Sequence, residues 1–303
     1  MAISRSQLVK ELEPGLNALF GLEYKRYENQ HAEIYTSENS DRAFEEEVML
    51  SGFGNAQVKG EGAGVSFDEA QETFTARYTH ETVALAFAIT EEAIEDNLYD
   101  RLAARYTKAL ARSMSNAKQV KAVEPLINGL PSTNTFKSGD GVSLFNTSHT
   151  TVSGSFKNTL STQADLNETS LEQSMIDIAQ MTDERGLRIA ARGVKMIIPS
   201  ELQFTAERLM KSQGRTGTAD NDINAIVSMG MVPQGYRVNN YLTDSDAFYI
   251  ITDVPNGMKM FTRAPLNTAM EGDFDTGNVR YKARERYSFG VSDPRGIFGV
   301  EGA

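Results

Sequence analysis

The clearest pattern in the chain is an alternation of apolar and polar residues over residues 278–291, close to its C-terminal end. One set of alternate positions is apolar and is interrupted only by Glu285. The intervening positions hold four basic residues, Arg280, Lys282, Arg284 and Arg286. A period of two places the two sets on opposite faces of a β-strand. We therefore expect a strand with one buried face and a basic stripe. Such a stripe is either a solvated face or a contact with an acidic neighbour.

A second alternation, from Val83 to Ile89, predicts a strand buried on at least one face. Thr90 follows as a helix N-cap, with acidic residues in the first turn, where the helix dipole favours negative charge. Apolar residues then recur at helical spacing up to about Val123, and Pro125 is expected to stop the helix: Ile94, Leu98, Leu102, Tyr106, Leu110 and Met114. Such a helix would be about 50 Å long. Its apolar stripe winds around the axis, which is typical of a structural spine with several packing partners.

The remainder of the chain mixes short helices and strands, which predicts an α+β fold. We expect helices over 171–182, capped by Thr169 or Ser170, and over 201–211. Shorter apolar runs predict strands at 194–198, 236–239, 247–252 and 258–262.

Two segments do not have the pattern of packed elements. Residues 1–43 are polar and mixed, and their one helix-like run is interrupted by Pro14 and Gly15, so we expect a terminal arm. Residues 44–77 enclose the glycine-dense stretch "GFGNAQVKGEGAGVSF" between extended flanks. This arrangement predicts a long β-hairpin, with a plain surface loop as the alternative.

Composition excludes several classes of protein. The chain of 303 residues has no cysteine, so disulfides and thiolate metal sites are excluded. No apolar run approaches the roughly 20 residues that span a bilayer, and the first residues lack the apolar core of a signal peptide, so we expect no membrane partner. The net charge of −11 is the reverse of the basic excess found in dedicated nucleic-acid binders.

Candidate chemistry centres on the stretch "DGVSLFNTSHTT", residues 140–151. His149 follows Ser148 directly, but adjacent side chains of an extended chain point apart, and the chain has no G-x-S-x-G elbow. The three histidines, at positions 31, 80 and 149, lack metal-ligand spacing. The acids Asp183 and Glu184 are adjacent on a loop, where we expect them to be solvated. We therefore predict no catalytic residue, no metal and no cofactor. We expect Leu144 and Phe145 to tuck into the core, while Asp140, Ser148 and His149 satisfy local backbone groups.

The order of these elements resembles the major capsid proteins of tailed bacteriophages, of the Hong Kong 97 type. The resemblance covers nearly the whole chain. It includes the arm, the glycine-rich hairpin, the strand and spine helix, and four further stretches: "DGVSLFNTSHT", "RGVKMIIPSELQFTAERLM", "GTADNDIN" and "RYKARERYSFGVSDPRGIFG".

The resemblance implies a division into regions. Residues 1–43 would be the arm, and 44–77 an extended loop that lies over the next subunit. Residues 78–168 would form a peripheral domain containing the spine helix, 169–265 an axial domain, and 266–303 the return to the peripheral domain. The "GTADNDIN" loop, with Asp220 and Asn221, would face the centre of a hexamer or pentamer.

The resemblance also implies contacts and partners. The protein would self-assemble into an icosahedral shell around packaged double-stranded DNA, with only weak, non-specific proximity to that DNA. We expect the stripe Arg280 to Arg286 to pair with acids of a neighbour, for example Glu45, Glu46 and Glu47. Lys59 is the only lysine near the hairpin tip, but no partner for it can be identified, so cross-linking is not predicted.

Further partners would be a portal, possible decoration proteins and a separate scaffolding protein, because no long segment precedes the hairpin. Assembly would occur in the cytoplasm of the host bacterium, and the final location would be the virion capsid. Two alternatives stay open at this point: an encapsulin-like shell of a cellular compartment, and an enzyme, such as a hydrolase that uses His149.

Overall fold

The structure is a computed structural model that describes residues 5–90, 92, 99–214, 222–273 and 277–303. Its helices are α1 (Arg5–Arg26), α2 (Tyr99–Asn128), α3 (Glu168–Ala179), α4 (Gln203–Lys211) and α5 (Ala225–Ser228). Short 3-10 turns lie at Gln30–Glu33, Ser200–Leu202 and Pro294–Gly296.

The strands form two four-stranded sheets and two hairpins. The first sheet has the order β1 (Thr36–Asn39), β10 (Met258–Gly272), β11 (Val279–Val291) and β4 (Glu81–Ile89). The second sheet has the order β12 (Ile297–Val300), β9 (Phe248–Thr252), β7 (Gly193–Ile198) and β8 (Tyr236–Val238). One hairpin pairs β2 (Phe44–Leu50) with β3 (Glu72–Thr79), and the other pairs β5 (His149–Thr151) with β6 (Gly154–Phe156).

The two sheets belong to different parts of the predicted division. The first sheet and α2 hold most of the predicted peripheral domain, and the second sheet with α3 and α4 holds most of the predicted axial domain. Strand β12 comes from the predicted return segment, yet it pairs with β9 in the second sheet. The exact domain boundaries therefore stay predictions.

Helix α1 runs without interruption through Pro14 and Gly15, so the predicted break at these residues is wrong. Tertiary packing explains the difference. Leu16 and Phe20 are buried in one cluster with residues of α2 and β11. The Asn17 side-chain oxygen also accepts hydrogen bonds from Thr268 and Tyr281, at 2.7 and 2.8 Å. These contacts outweigh the hydrogen bond that a proline removes from a helix.

Helix α2 is the predicted spine, and it continues past Pro125 to Asn128. The expected stop near Val123 is wrong because both flanks of the proline are held in the core, where Val123 and Leu126 are buried. Leu110 and Met114 are buried as predicted, whereas Tyr106 is 48% exposed. The predicted start of the helix, including Glu91, Ile94 and Leu98, lies outside the described residues.

Helix α3 begins earlier than predicted, and its N-cap is Asn167 rather than Thr169 or Ser170. The Asn167 side chain accepts the Ser170 N–H at 2.8 Å, and the Ser170 hydroxyl accepts the Asn167 N–H at 3.0 Å. This reciprocal capping box satisfies two N–H groups that would otherwise be orphaned at the helix start.

The stretch 140–151 is a loop that ends in strand β5. Leu144 and Phe145 are fully buried between α2 and the sheets, so the predicted packing of these two residues is confirmed. The expectation that His149 bonds to local backbone is wrong. Its Nδ1 lies 2.6 Å from an Asp140 carboxylate oxygen, and its Nε2 lies 3.0 Å from the Asn158 side-chain oxygen.

Candidate assembly surfaces

The basic stripe lies on an uncovered face of the first sheet. Tyr281 and Ala283 point into the cluster beneath α1 and α2, and the alternate residues Arg280, Lys282 and Arg284 are exposed on the other side. The predicted alternation of β11 is therefore confirmed. Arg286, the fourth basic residue, is only partly exposed.

Small side chains flank the stripe. In the sheet register Arg280, Lys282 and Arg284 stand beside Ala88, Ala86 and Ala84 of β4. These alanines are exposed. The alanines form a shallow apolar surface, called the alanine floor below, and the long cationic side chains project above it. A flat peptide segment can approach such a surface closely.

The cations of the stripe differ in their partners. Arg280 lies 2.5 Å from a carboxylate oxygen of Asp273. Lys282 and Arg284 have no ion-pair partner within the ranges that the structure describes. Burial, and after it the charge of Arg286, lowers the pKa of nearby His80 below its ordinary value. Lys282 and Arg284, in the middle of the stripe, are thus the cations available to pair with a partner.

Glu285 interrupts the apolar face of β11 because it is a buried ion-pair residue. Its carboxylate lies 3.1 Å from Lys118 of α2 and is only 2% exposed. Burial raises the pKa of Glu285, and the Lys118 ammonium opposes that shift. A single acid on an otherwise apolar strand face thus receives its counter-charge from the spine helix.

The acidic run at the start of the hairpin is largely engaged within the chain. Glu45 accepts a hydrogen bond from Ser40 at 2.6 Å, and Glu47 lies 2.5 Å from Lys259. Glu46 is the most exposed of the three and lies 3.7 Å from Arg77. Of the three acids expected to meet a neighbour, Glu46 therefore has the weakest contacts within its own chain and would lose the least by pairing with another subunit.

The stem of the hairpin is seated on the end of the first sheet. Tyr78 is buried against Phe261, with ring centroids 4.8 Å apart. A Cβ at Gly290 would approach the Tyr78 ring to 2.6 Å, so only glycine leaves room for this tyrosine. His80 adds hydrogen-bond contacts of 3.0 Å to both Ser288 and Ser40.

The hairpin loop, defined as residues 51–71, exposes large apolar side chains. Val58 and Phe67 are 100% and 96% exposed, and Phe53 and Val65 exceed 60%. Sequence reasoning missed this feature because it concentrated on the glycines. The sequence did contain a signal for this exposure, because large apolar residues stand in the glycine-rich loop without the alternation that would bury them in a strand. Exposed apolar groups gathered on one projection indicate a partner surface.

The other predicted contact residues are Lys59, Asp220 and Asn221. Lys59 is exposed in the hairpin loop and has no ion-pair partner in the described part of the chain. Asp220 and Asn221 lie outside the described residues. No three His, Asp or Glu side chains within the described ranges are arranged to hold a metal ion. No helix among the described residues is long and apolar enough to cross a membrane.

The Asp140–His149 pair does not form a nucleophilic triad. Both ring nitrogens of His149 are engaged, one by Asp140 and one by Asn158. The ring is fully buried and stacks on Phe156, with centroids 4.9 Å apart. The Asn158 amide in turn donates to the Leu144 and Pro294 carbonyls at 2.7 and 3.0 Å. This arrangement fastens a loop to the closing segment of the chain.

The spine helix, seated hairpin and two sheets define the Hong Kong 97-type class of capsid fold, and solved structures share it. A virus-like particle from Pyrococcus furiosus superposes with a TM-score of 0.52 at 11% identity, covering 94% of this chain and 98% of that one. The capsid of Myoviridae phage XM1 gives 0.51 at 12% identity, covering 89% of each chain. A structure from Mycobacterium phage Ogopogo gives 0.52 at 12% identity, covering 91% and 92%.

The sequence itself defines the family. Residues 72–300 match the family described as "Phage capsid protein", and the chain therefore belongs to that family. No curated protein matches the sequence. The chain is a major capsid protein of an icosahedral shell, so the predicted family, fold class and structural role are confirmed. The alternative of a cellular compartment shell receives less support than the phage shell.

Proposed function

We propose that copies of this chain assemble into hexamers and pentamers by laying the hairpin of one subunit on the open face of the next subunit's first sheet. The observation that carries the proposal is the coexistence of two unfilled surfaces on one chain. One is the sheet face with Arg280, Lys282 and Arg284, and the other is the hairpin loop with its exposed apolar side chains.

The two surfaces are complementary in charge. Residues 44–77 contain seven acidic and two basic residues, whereas strand β11 contains four basic residues and one acid, and that acid is buried. Opposite charges across an interface favour the correct partner and orientation more than they raise affinity. Glu46 and Glu61 are exposed hairpin acids and are the natural partners of Lys282 and Arg284.

Apolar burial supplies the association energy in this arrangement. Each Å² of apolar surface removed from water contributes roughly 25 cal/mol. The alanine floor beside β11 allows the Val58 and Phe67 side chains to approach the sheet closely. Each contact between two subunits is modest, but a closed shell repeats it many times, and repeated contacts reinforce one another.

The shell encloses packaged double-stranded DNA in this proposal, and it contacts that DNA only weakly. The net charge of −11 supports this, because a strongly basic wall would bind the phosphates and hinder movement of the DNA. A separate scaffolding protein, a portal and possible decoration proteins complete the proposed assembly, which forms in the host bacterial cytoplasm and becomes the capsid of the virion.

Electron microscopy and sedimentation of the purified protein test the proposed function. We expect shells, rings or capsomers at high protein concentration, and a monodisperse monomer under all conditions would overturn the proposal. Arg284→Glu places a like charge opposite the acidic hairpin, so we expect it to raise the protein concentration needed for assembly roughly tenfold.

Lys108→Glu is the matched control for that charge reversal. Lys108 is exposed on α2, on the side of the sheet away from the basic stripe. Its substitution by glutamate changes the net charge by the same amount as Arg284→Glu. We expect Lys108→Glu to assemble at the wild-type concentration. If Arg284→Glu also assembles at that concentration, the sheet face is not the receiving surface.

A further inference from the structure

A tight turn at residues 183–187 lies beside the hairpin loop. One oxygen of the Asp183 carboxylate accepts the N–H groups of Arg185 and Leu187, at 2.9 and 2.7 Å. The Leu187 carbonyl accepts the Asp183 N–H at 2.8 Å. Gly186 has a φ of +80°, in the left-handed region that favours glycine. The turn is therefore fixed by its own hydrogen bonds.

The turn is also anchored in the core, contrary to the expectation that Asp183 and Glu184 are simply solvated. Glu184 is 2% exposed, and its carboxylate lies 2.5 Å from the buried guanidinium of Arg295. Arg295 also donates to the Thr182 carbonyl at 2.8 Å and lies 4.1 Å above the Phe156 ring. A buried ion pair with several further hydrogen bonds holds its geometry firmly.

Arg185 projects from this anchored turn onto the hairpin loop. Its guanidinium lies 2.7 Å from Asp68 and donates to the Glu69 carbonyl at 2.8 Å. Asp68 itself accepts the N–H of Gly54 at 2.7 Å and that of Glu69 at 2.9 Å. The Asp68 carboxylate thus joins the outgoing leg of the loop, its returning leg and the body of the protein.

We propose that Asp68 and Arg185 are positioning residues for assembly, a clamp that orders the hairpin loop in the free subunit in the orientation that the next subunit receives. The inference rests on the proposed function, in which that loop makes the contact between subunits. It adds a definite role for two residues that need not touch the neighbour themselves.

The energetic reason is the cost of ordering a glycine-rich loop. Gly52, Gly54, Gly60, Gly62 and Gly64 lie within it, and glycine loses more backbone freedom on ordering than any other residue. Fixing the backbone of each residue has an entropic cost, and any part of that cost that falls on association weakens binding. The clamp transfers part of the cost from association to folding of the subunit.

Hydrogen exchange on unassembled subunits tests the clamp directly. Arg185→Gln removes the guanidinium, and Asp68→Ala removes the carboxylate. We expect amide exchange within residues 51–71 to rise roughly tenfold in each variant, with an unchanged melting temperature, because the core pair of Glu184 and Arg295 is untouched. The matched control is Arg77→Gln, which removes an exposed arginine–carboxylate pair on the hairpin stem and should leave exchange in 51–71 unchanged.

Assembly then tests the consequence of the clamp. We expect Arg185→Gln and Asp68→Ala to raise the concentration needed for assembly roughly tenfold, and the shells that form should have wild-type geometry. Unchanged exchange in 51–71 would overturn the clamp and leave the proposed function standing. Faster exchange with wild-type assembly would overturn the positioning role.

Phe67→Asp separates failure of the inference from failure of the proposed function. It leaves Asp68 and Arg185 in place but puts a charge where the loop is proposed to bury an apolar ring. Loss of assembly in Phe67→Asp supports the contact on which the clamp depends. Wild-type assembly of Phe67→Asp would overturn both the hairpin contact and the positioning role.

Discussion

At the scale of single residues, the described structure buries several titratable side chains, each in a different environment. His31 is buried, its Nδ1 has no hydrogen-bond partner in the described part of the chain, and its ring lies edge-on to Phe289. Burial, followed by the nearby Lys118 charge, lowers the pKa of His31 to about 4. The folded chain therefore holds this ring in its neutral form over a pH range in which an unfolded histidine is protonated.

The His31 environment predicts acid sensitivity. Between pH 6.5 and about 4 the unfolded chain binds a proton at His31 that the folded chain does not, so stability falls as the pH drops through this range. We expect His31→Leu to remove on the order of 2 kcal/mol of the stability that the wild type loses between pH 7 and pH 5. Urea unfolding of unassembled subunits at the two pH values measures this. Equal losses in both proteins would contradict it.

Residue-level sequence reasoning succeeded where the deciding information was local. The burial of Leu144 and Phe145 followed from an apolar pair within a polar loop. The burial of Glu184 could not be foreseen in the same way, because its counter-charge Arg295 is far along the chain. An acid in a polar loop has the same local pattern whether it is solvated or paired in the core.

At the scale of elements, packing overrode local propensity. The sequence predicted that Pro14 would interrupt a helix-like run and that Pro125 would stop the spine helix, yet both lie inside helices. In each case buried neighbours, Leu16 and Leu126 among them, hold the helix on a sheet. The strands were easier to predict, since a one-residue slip of β11 would expose its apolar face and bury the basic stripe.

The seat of the hairpin predicts a steric effect at Gly290. An added Cβ would approach the Tyr78 ring to 2.6 Å, so we expect Gly290→Ala to destabilise the subunit by about 1–3 kcal/mol. It should also speed amide exchange in β3, because Tyr78 must move. Gly272→Ala, on the neighbouring strand β10, meets nothing within 4 Å and should change stability by less than about 0.5 kcal/mol. Equal stability of the two variants in chemical denaturation would contradict the close packing of Tyr78 against Gly290.

At the scale of the whole molecule, net charge and the distribution of charge serve different purposes. The chain carries −11 overall, yet one open sheet face carries the exposed basic residues Arg280, Lys282 and Arg284. The overall charge disfavours non-specific association of free subunits, and the local pattern favours one contact. Both act only within a Debye length of about 10 Å at 0.1 M salt. Composition alone predicted the first property, and the uncovered face required the structure.

The overall charge predicts weak binding to DNA. Dedicated DNA-binding proteins bind non-specific duplex with a Kd of about 10⁻⁴ to 10⁻⁶ M at physiological salt. We expect unassembled subunits to leave the fluorescence anisotropy of a labelled duplex unchanged up to about 10⁻⁵ M protein. Saturable binding below about 10⁻⁶ M would show that the basic stripe is a DNA surface.

The seating of the hairpin on the first sheet has a mechanical consequence. Strand β1 pairs with β10 and is followed at once by β2, and Glu47 of β2 is tied back to Lys259 of β10. In a shell assembled as proposed, the hairpin contacts one neighbour and the open face of the first sheet contacts the other neighbour. The hairpin and the sheet are therefore parts of one connected unit, called a plate here. Pressure from inside the shell would pass as tension from plate to plate around each ring. Helix α2 and the second sheet lie beside that load path rather than within it.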